Sequence, residues 1–188
     1  MDHHLFAEIY REHARAIHGH VVRMTADPVA AEDIVSLTFL EAWRLREGFS
    51  GVENRRAWLF GVATNVLRNH RRAARRHRAA MSRMPPPPQV PDFSEGVVSG
   101  IEDRRRMEAA LRALGRLRRS DREVLLLHLV SGLTHEEVAR ACGVSVGTAR
   151  SRLSRARSRL RKLTDEQVGA GREAARRAWA RPVREGSR

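Results

Sequence analysis

The chain has 188 residues, enough for one ordinary domain or two small ones, and its 36 Lys and Arg against 22 Asp and Glu leave a formal net charge of +14. No run approaches the roughly 18 apolar residues of a spanning helix, and Cys142, the single cysteine, excludes a disulfide within the chain. Nearly all the basic residues are arginine, whose guanidinium forks suit phosphate and guanine, so the balance is the electrostatic footprint of a nucleic-acid binder.

In chain order the apolar spacing is helical throughout, with no strand-like alternation. Phe6, Ile9, Ile17 and Val21 fall on one face of a first helix. Asp27 followed by Pro28 is an N-cap with proline at the first helical position. The helix they start carries Ile34, Val35, Leu37, Phe39, Leu40, Trp43 and Leu45, apolar nearly all round, which predicts a central packing helix. Gly48, Ser50 and Gly51 break it, and a third helix runs from about Arg55 into Arg76, its core side made by Trp58, Leu59, Val62, Val66 and Leu67.

Pro85, Pro86, Pro87, Pro88 and Pro91 then mark residues 81–103 as a flexible linker. Five prolines in a short span resist collapse and are expected to keep the two halves apart. Helical spacing resumes with Met107, Leu111, Leu114 and Leu117. Ser120 with Glu123, and Thr134 with Glu137, read as two capping boxes. Val138, Ala139 and Cys142 face inward, Gly143 sits where a tight turn needs positive φ, and Ser145 caps a last helix with the stripe Val146, Ala149, Leu153, Ala156, Leu160 and Leu163. Residues 164–188 read as a basic tail with a short helix near Glu173. The fold class is therefore all-α: two small helical domains, residues 1–80 and 104–163, joined by a Pro-rich linker.

Residues 134–163 form a helix-turn-helix pattern. Ala139 permits close approach of two helices, Gly143 turns the chain, and Val144 plugs the crossing. Gly147, Arg150, Ser151, Ser154, Arg155 and Ser158 then point away from the apolar stripe, where Arg can pair bidentately with guanine and Ser can serve base or phosphate. Arg157, Arg159, Arg161 and Lys162 lie further along, toward phosphates or solvent. In the third helix Arg68, Arg71, Arg72, Arg75, Arg76 and Arg78 follow one another with no acidic residue between them, which suits the phosphates of a strand. Asn65 and Asn69 share a face there, four residues apart.

Other chemistry finds no pattern. The nine histidines lack metal-ligand spacing and read as solvated, and Cys142 reads as a small buried residue. No phosphate-cradling glycine loop or nucleophile elbow is present, so no enzyme, cofactor, metal or small-molecule substrate is expected. The N-terminus lacks a signal-peptide core, which predicts a cytoplasmic protein without direct membrane insertion.

The stretch GLTHEEVARACGVSVGTARSRLSRAR, within residues 114–163, resembles the C-terminal domain of bacterial sigma factors of the extracytoplasmic-function group of the sigma-70 family. FAEIYREHARAIHGHVVRMTADPVAAEDIVSLTFLEAWR and RRAWLFGVATNVLRNHRR independently resemble that family's first conserved helices and its promoter-melting helix. Together the two blocks cover about residues 5–76 and 107–163.

The resemblance implies a protein that binds core RNA polymerase through the beta and beta-prime subunits and directs it to promoter DNA. It implies that Gly147, Thr148, Arg150, Ser151, Ser154 and Arg155 read the upstream, minus-thirty-five element. Asn65, Arg68, Asn69 and Arg72 would contact the downstream, minus-ten element, and the loop 49–55 would hold a flipped-out base. Asp33, Ser36, Leu37 and Leu40 would meet the polymerase clamp, although Ser36 stands where the family usually carries Gln. An anti-sigma factor is implied as a further partner. The alternatives are a stand-alone helix-turn-helix regulator and a module binding an acidic protein.

Overall fold

A computed structural model describes residues 2–80 and 101–179. Among them are seven α-helices and no strand. The first unit holds α1 (His3–Thr25), α2 (Pro28–Arg44), a short 3₁₀ helix (Arg46–Gly51) and α3 (Arg55–Ala80). The second holds α4 (Ile101–Gly115), α5 (Arg119–Leu129), α6 (His135–Cys142) and α7 (Val146–Trp179). The prolines of the expected linker lie outside the described residues, as do residues 180–188 of the expected tail.

Local chemistry places most helix starts where the sequence predicts them. The Asp27 carboxylate accepts the Ala30 N–H at 3.0 Å, with Pro28 in the first turn of α2. At α6 the predicted capping box forms in full: Thr134 Oγ1 accepts the Glu137 N–H, and Glu137 Oε2 accepts the Thr134 N–H at 2.8 Å.

Ser120 is different. The helix α5 begins one residue earlier, at Arg119, and no side chain caps it. Glu123 is instead buried and reaches across to Arg68 of α3, 2.8 Å away. A full charge 55 positions away along the chain outcompetes a local amide for that carboxylate.

Three further expectations change. The helix α2 is not buried all round: Leu37, Leu40 and Leu45 are about half exposed, and Val29 is 77% exposed. The stretch after Leu163 is not a separate short helix, because α7 continues unbroken to Trp179 and packs against α4. The third concerns the histidines, of which His13 and His20 are buried rather than solvated.

The two units also do not stand apart. The helices α3 and α6 pack face to face, α1 touches α5, and the buried core runs through both units. Gly61 and Ala141 meet at this crossing, where a Cβ on Gly61 would stand in ordinary van der Waals contact, 3.6 Å from the Ala141 backbone. Polar contacts stitch the seam. Asn54 Nδ2 donates to Glu137 Oε1 at 2.6 Å, and Arg56 Nε donates to the Ser131 carbonyl at 3.1 Å. A linker's stiffness limits how its ends collapse on each other; it does not stop apolar helix faces beyond those ends from meeting.

Candidate nucleic-acid interface

The turn between α6 and α7 fixes the angle at which α7 leaves α6. Gly143 adopts φ 64°, the left-handed conformation that a side chain resists. Around it the Val144 N–H returns to the Ala139 carbonyl and the Gly143 N–H to Arg140, the paired bonds of a Schellman close. Ser145 Oγ then accepts the Thr148 N–H at 3.2 Å and α7 starts at Val146.

Ala149, Leu153, Ala156 and Leu163 are buried along one side of α7. The opposite side presents Gly147, Arg150, Ser151, Ser154 and Arg155, all exposed, with Thr148 half-buried beside them. Arg150 is steadied by Glu136 of α6 at 3.2 Å; both side chains are more than half exposed, so the pair orients the guanidinium without consuming it. Ser151 Oγ donates to the Thr148 carbonyl and keeps its lone pairs outward. Arg157, Arg159, Arg161 and Lys162 extend the exposed basic side.

On α3, Asn65, Asn69 and Arg72 are exposed, Asn65 and Asn69 on a common face. Arg68 stands apart from them. It is half-buried, with its guanidinium on Glu123. Cys142 Sγ lies 3.9 Å from the same carboxylate. Burial, and then the Glu123 charge, push that thiol up to about 12, so it is inert. In the loop before α3, Phe49 is buried edge-on against Trp58, and Asn54 both caps α3 through the Ala57 N–H and holds Glu137.

Asp33, Ser36, Leu37 and Leu40 are exposed on α2 at spacings that make one face. Val29, one turn earlier, extends it, a residue that the sequence reading did not select. Two leucines and a valine are thus exposed on the same helix. The apolar count in α2 pointed inward because composition does not say which apolar residues face the core and which face outward.

Sequence reasoning also missed Asn54, Arg56 and Glu123, the residues that join the units. Each lies among other polar residues, in Glu53–Arg56 or Arg118–Glu123, so nothing local singles it out. Among the described residues no group of three or more His, Cys, Asp or Glu could hold a metal ion, and no helix is long and apolar enough to cross a membrane.

This architecture meets known proteins at both ends of the chain. The pattern of sigma-70 region 2 matches residues 9–77, and that of sigma-70 region 4 matches residues 107–160. The ECF RNA polymerase sigma factor SigL of Mycobacterium tuberculosis is 33% identical over 172 residues, covering 89% of this chain and 93% of SigL. The chain belongs to the ECF RNA polymerase sigma factors.

The sigma factor CarQ of Myxococcus xanthus is similarly related, 32% identical over 164 residues, with 86% of this chain and 90% of CarQ covered. In structure this sigma factor resembles RpoE of Bartonella quintana, solved with the anti-sigma factor NepR, at a TM-score of 0.69 and 26% identity over 85% of this chain and 96% of that one. It also resembles CnrH, solved with the cytosolic domain of CnrY, at a TM-score of 0.62 and 26% identity over 88% and 90% of the two chains. As a sigma factor it binds core RNA polymerase and directs transcription initiation.

Proposed function

We propose that this sigma factor holds promoter DNA at two points while docked on core polymerase, with residues 104–163 on the minus-thirty-five element and residues 1–80 on the minus-ten element. The observation that carries the reading is the single exposed face of Gly147, Arg150, Ser151, Ser154 and Arg155 on α7, backed by a buried apolar stripe. With Thr148 beside it, that face has the width and donor set of a major-groove reader. Asn65, Asn69 and Arg72 supply the downstream contacts, and residues 81–103 span the distance between the two.

Asp33, Ser36, Leu37 and Leu40 form the face for the polymerase clamp, on the beta and beta-prime subunits. Arg68 joins the downstream contacts only after it leaves Glu123, so the packed arrangement must open before both elements are held. The likeness to sigma factors solved with anti-sigma factors supports an anti-sigma partner that keeps the two units closed. The protein acts in the cytoplasm, beside the polymerase.

Run-off transcription with purified core polymerase tests this. Each good bidentate base contact is worth about 1–3 kcal/mol, so Arg150→Ala with Arg155→Ala should reduce initiation by about 30-fold or more while core binding stays unchanged. Unchanged initiation would remove α7 from DNA recognition. Strong sequence-specific binding of promoter DNA by the free chain would favour a stand-alone regulator instead.

A further inference from the structure

Where α1, α3 and α5 meet, the seam between the units is rich in hydrogen-bond donors and poor in acceptors. His20 and Met24, one turn apart on α1, are both buried there. The Met24 carbonyl accepts from Arg71 of α3 and, at 3.1 Å, from Arg122 of α5. A carbonyl has two lone pairs, so these two bonds fill it. Arg71 Nη1, Arg122 Nε and both ring nitrogens of His20 are buried with no hydrogen-bond partner.

The charge is equally unbalanced. Arg119, one turn before Arg122 on α5, is exposed at the outer edge of the seam and adds a third guanidinium. Burial first, and then the charges of Arg119 and Arg122, together lower Arg71 to about 10. Arg122 is lowered by burial and then by Arg119. Glu123 is the carboxylate nearby, and Arg68 engages it.

Buried polar groups are ordinarily satisfied, and orphaned ones call for an explanation such as an ion. Three guanidinium groups drawn from two separate units, with unused N–H donors, are matched by a small polyvalent oxyanion. Its oxygens accept several N–H bonds at once and its charge removes the repulsion. We propose that Arg71, Arg119 and Arg122 form a site for a phosphate-class oxyanion, and that filling it ties the two helical units together. The ligand bridges α3 and α5, so its binding favours the packed arrangement over the open one.

Isothermal titration of the full chain with sodium pyrophosphate tests the site, with ionic strength held constant by sodium chloride so that screening does not change. One-to-one saturable binding is expected. Arg119→Ala and Arg122→Ala should each weaken it by about tenfold or more, as expected for loss of a charge-assisted bond. Arg112→Ala, whose guanidinium faces Glu108 of its own helix at 3.7 Å, should leave binding unchanged. Arg119 is exposed, so its replacement keeps the fold, which far-ultraviolet circular dichroism verifies. The urea midpoint should rise with pyrophosphate in the parent chain and not in Arg119→Ala.

Repeating the titration with ADP distinguishes the source. Tighter binding assigns the site to the diphosphate of a nucleotide, and equal or weaker binding assigns it to free phosphate species. Absence of saturable binding at constant ionic strength, or equal binding by all three variants, would overturn the proposal.

Discussion

Replacing Arg68 and Glu123 singly and together measures how firmly the two units hold each other. The charged atoms stand 2.8 Å apart, with the Glu123 side chain 5% exposed and the Arg68 side chain 30% exposed. At an effective dielectric of about 20, their gross attraction is roughly 6 kcal/mol. Desolvation of the carboxylate offsets much of this and water screens the more exposed guanidinium, which leaves a net coupling of about 2 kcal/mol. Arg68→Met alone strands a buried carboxylate and should cost about 3 kcal/mol. The double variant Arg68→Met with Glu123→Leu should cost less than the sum of the single ones by about 2 kcal/mol, or about 30-fold in the folding equilibrium. Urea unfolding of the four full-length chains gives the cycle directly. A coupling below roughly 0.5 kcal/mol, the ordinary result for sites that do not touch, would refute the contact and the packing of α3 against the second unit that it reports.

Three other outcomes follow from the same geometry. Gly143→Ala forces a side chain into φ 64° and should cost about 1–2 kcal/mol, seen as a fall of a few degrees in Tm by calorimetry. His20 is held neutral, its pKa lowered to about 3 by burial and then by Arg71 and Arg23, from an ordinary value of 6.5. The unfolded chain therefore binds an extra proton between those values, so stability rises with pH there and is lost as pH falls below 6.5. His20→Phe should flatten that acid limb in thermal melts between pH 7 and pH 4, by about 3 kcal/mol at the acid end, and parallel curves would contradict this. Leu40 is 57% exposed, so Leu40→Asp should change stability by less than about 0.5 kcal/mol while weakening capture of core polymerase by about tenfold or more. Pull-down against core at several concentrations measures that loss.

The helix-turn-helix was legible because its determinants are local. Thr134 and Glu137, Gly143 and Ser145 act within a few residues of one another, and the α7 stripe repeats at helical spacing. Glu123 misled for the opposite reason: it has the right spacing from Ser120 for a cap, but Arg68 and Cys142 reach it from distant positions. Residues 164–188 read as a tail because their composition is polar and basic. The helix continues there because α4 offers it a packing surface that spacing within α7 cannot reveal. Of the candidate site, the residues chosen on α7 and α2 are exposed except for half-buried Thr148, whereas Arg68 is half-buried in the seam on Glu123. Charge pattern alone cannot say which partner a guanidinium will take.

The unbroken length of α7 has a mechanical meaning. Its 34 residues make a rod of about 50 Å, at about 1.5 Å per residue. Arg150 and Arg155 sit near one end, and further along, at Thr164, Asp165, Val168 and Gly169, the helix lies beside Arg106 of α4. A stiff rod acts as a lever. Displacing its far end by a few ångströms against α4 would swing the near end in proportion, changing how the arginine row meets a groove without altering any residue in that row.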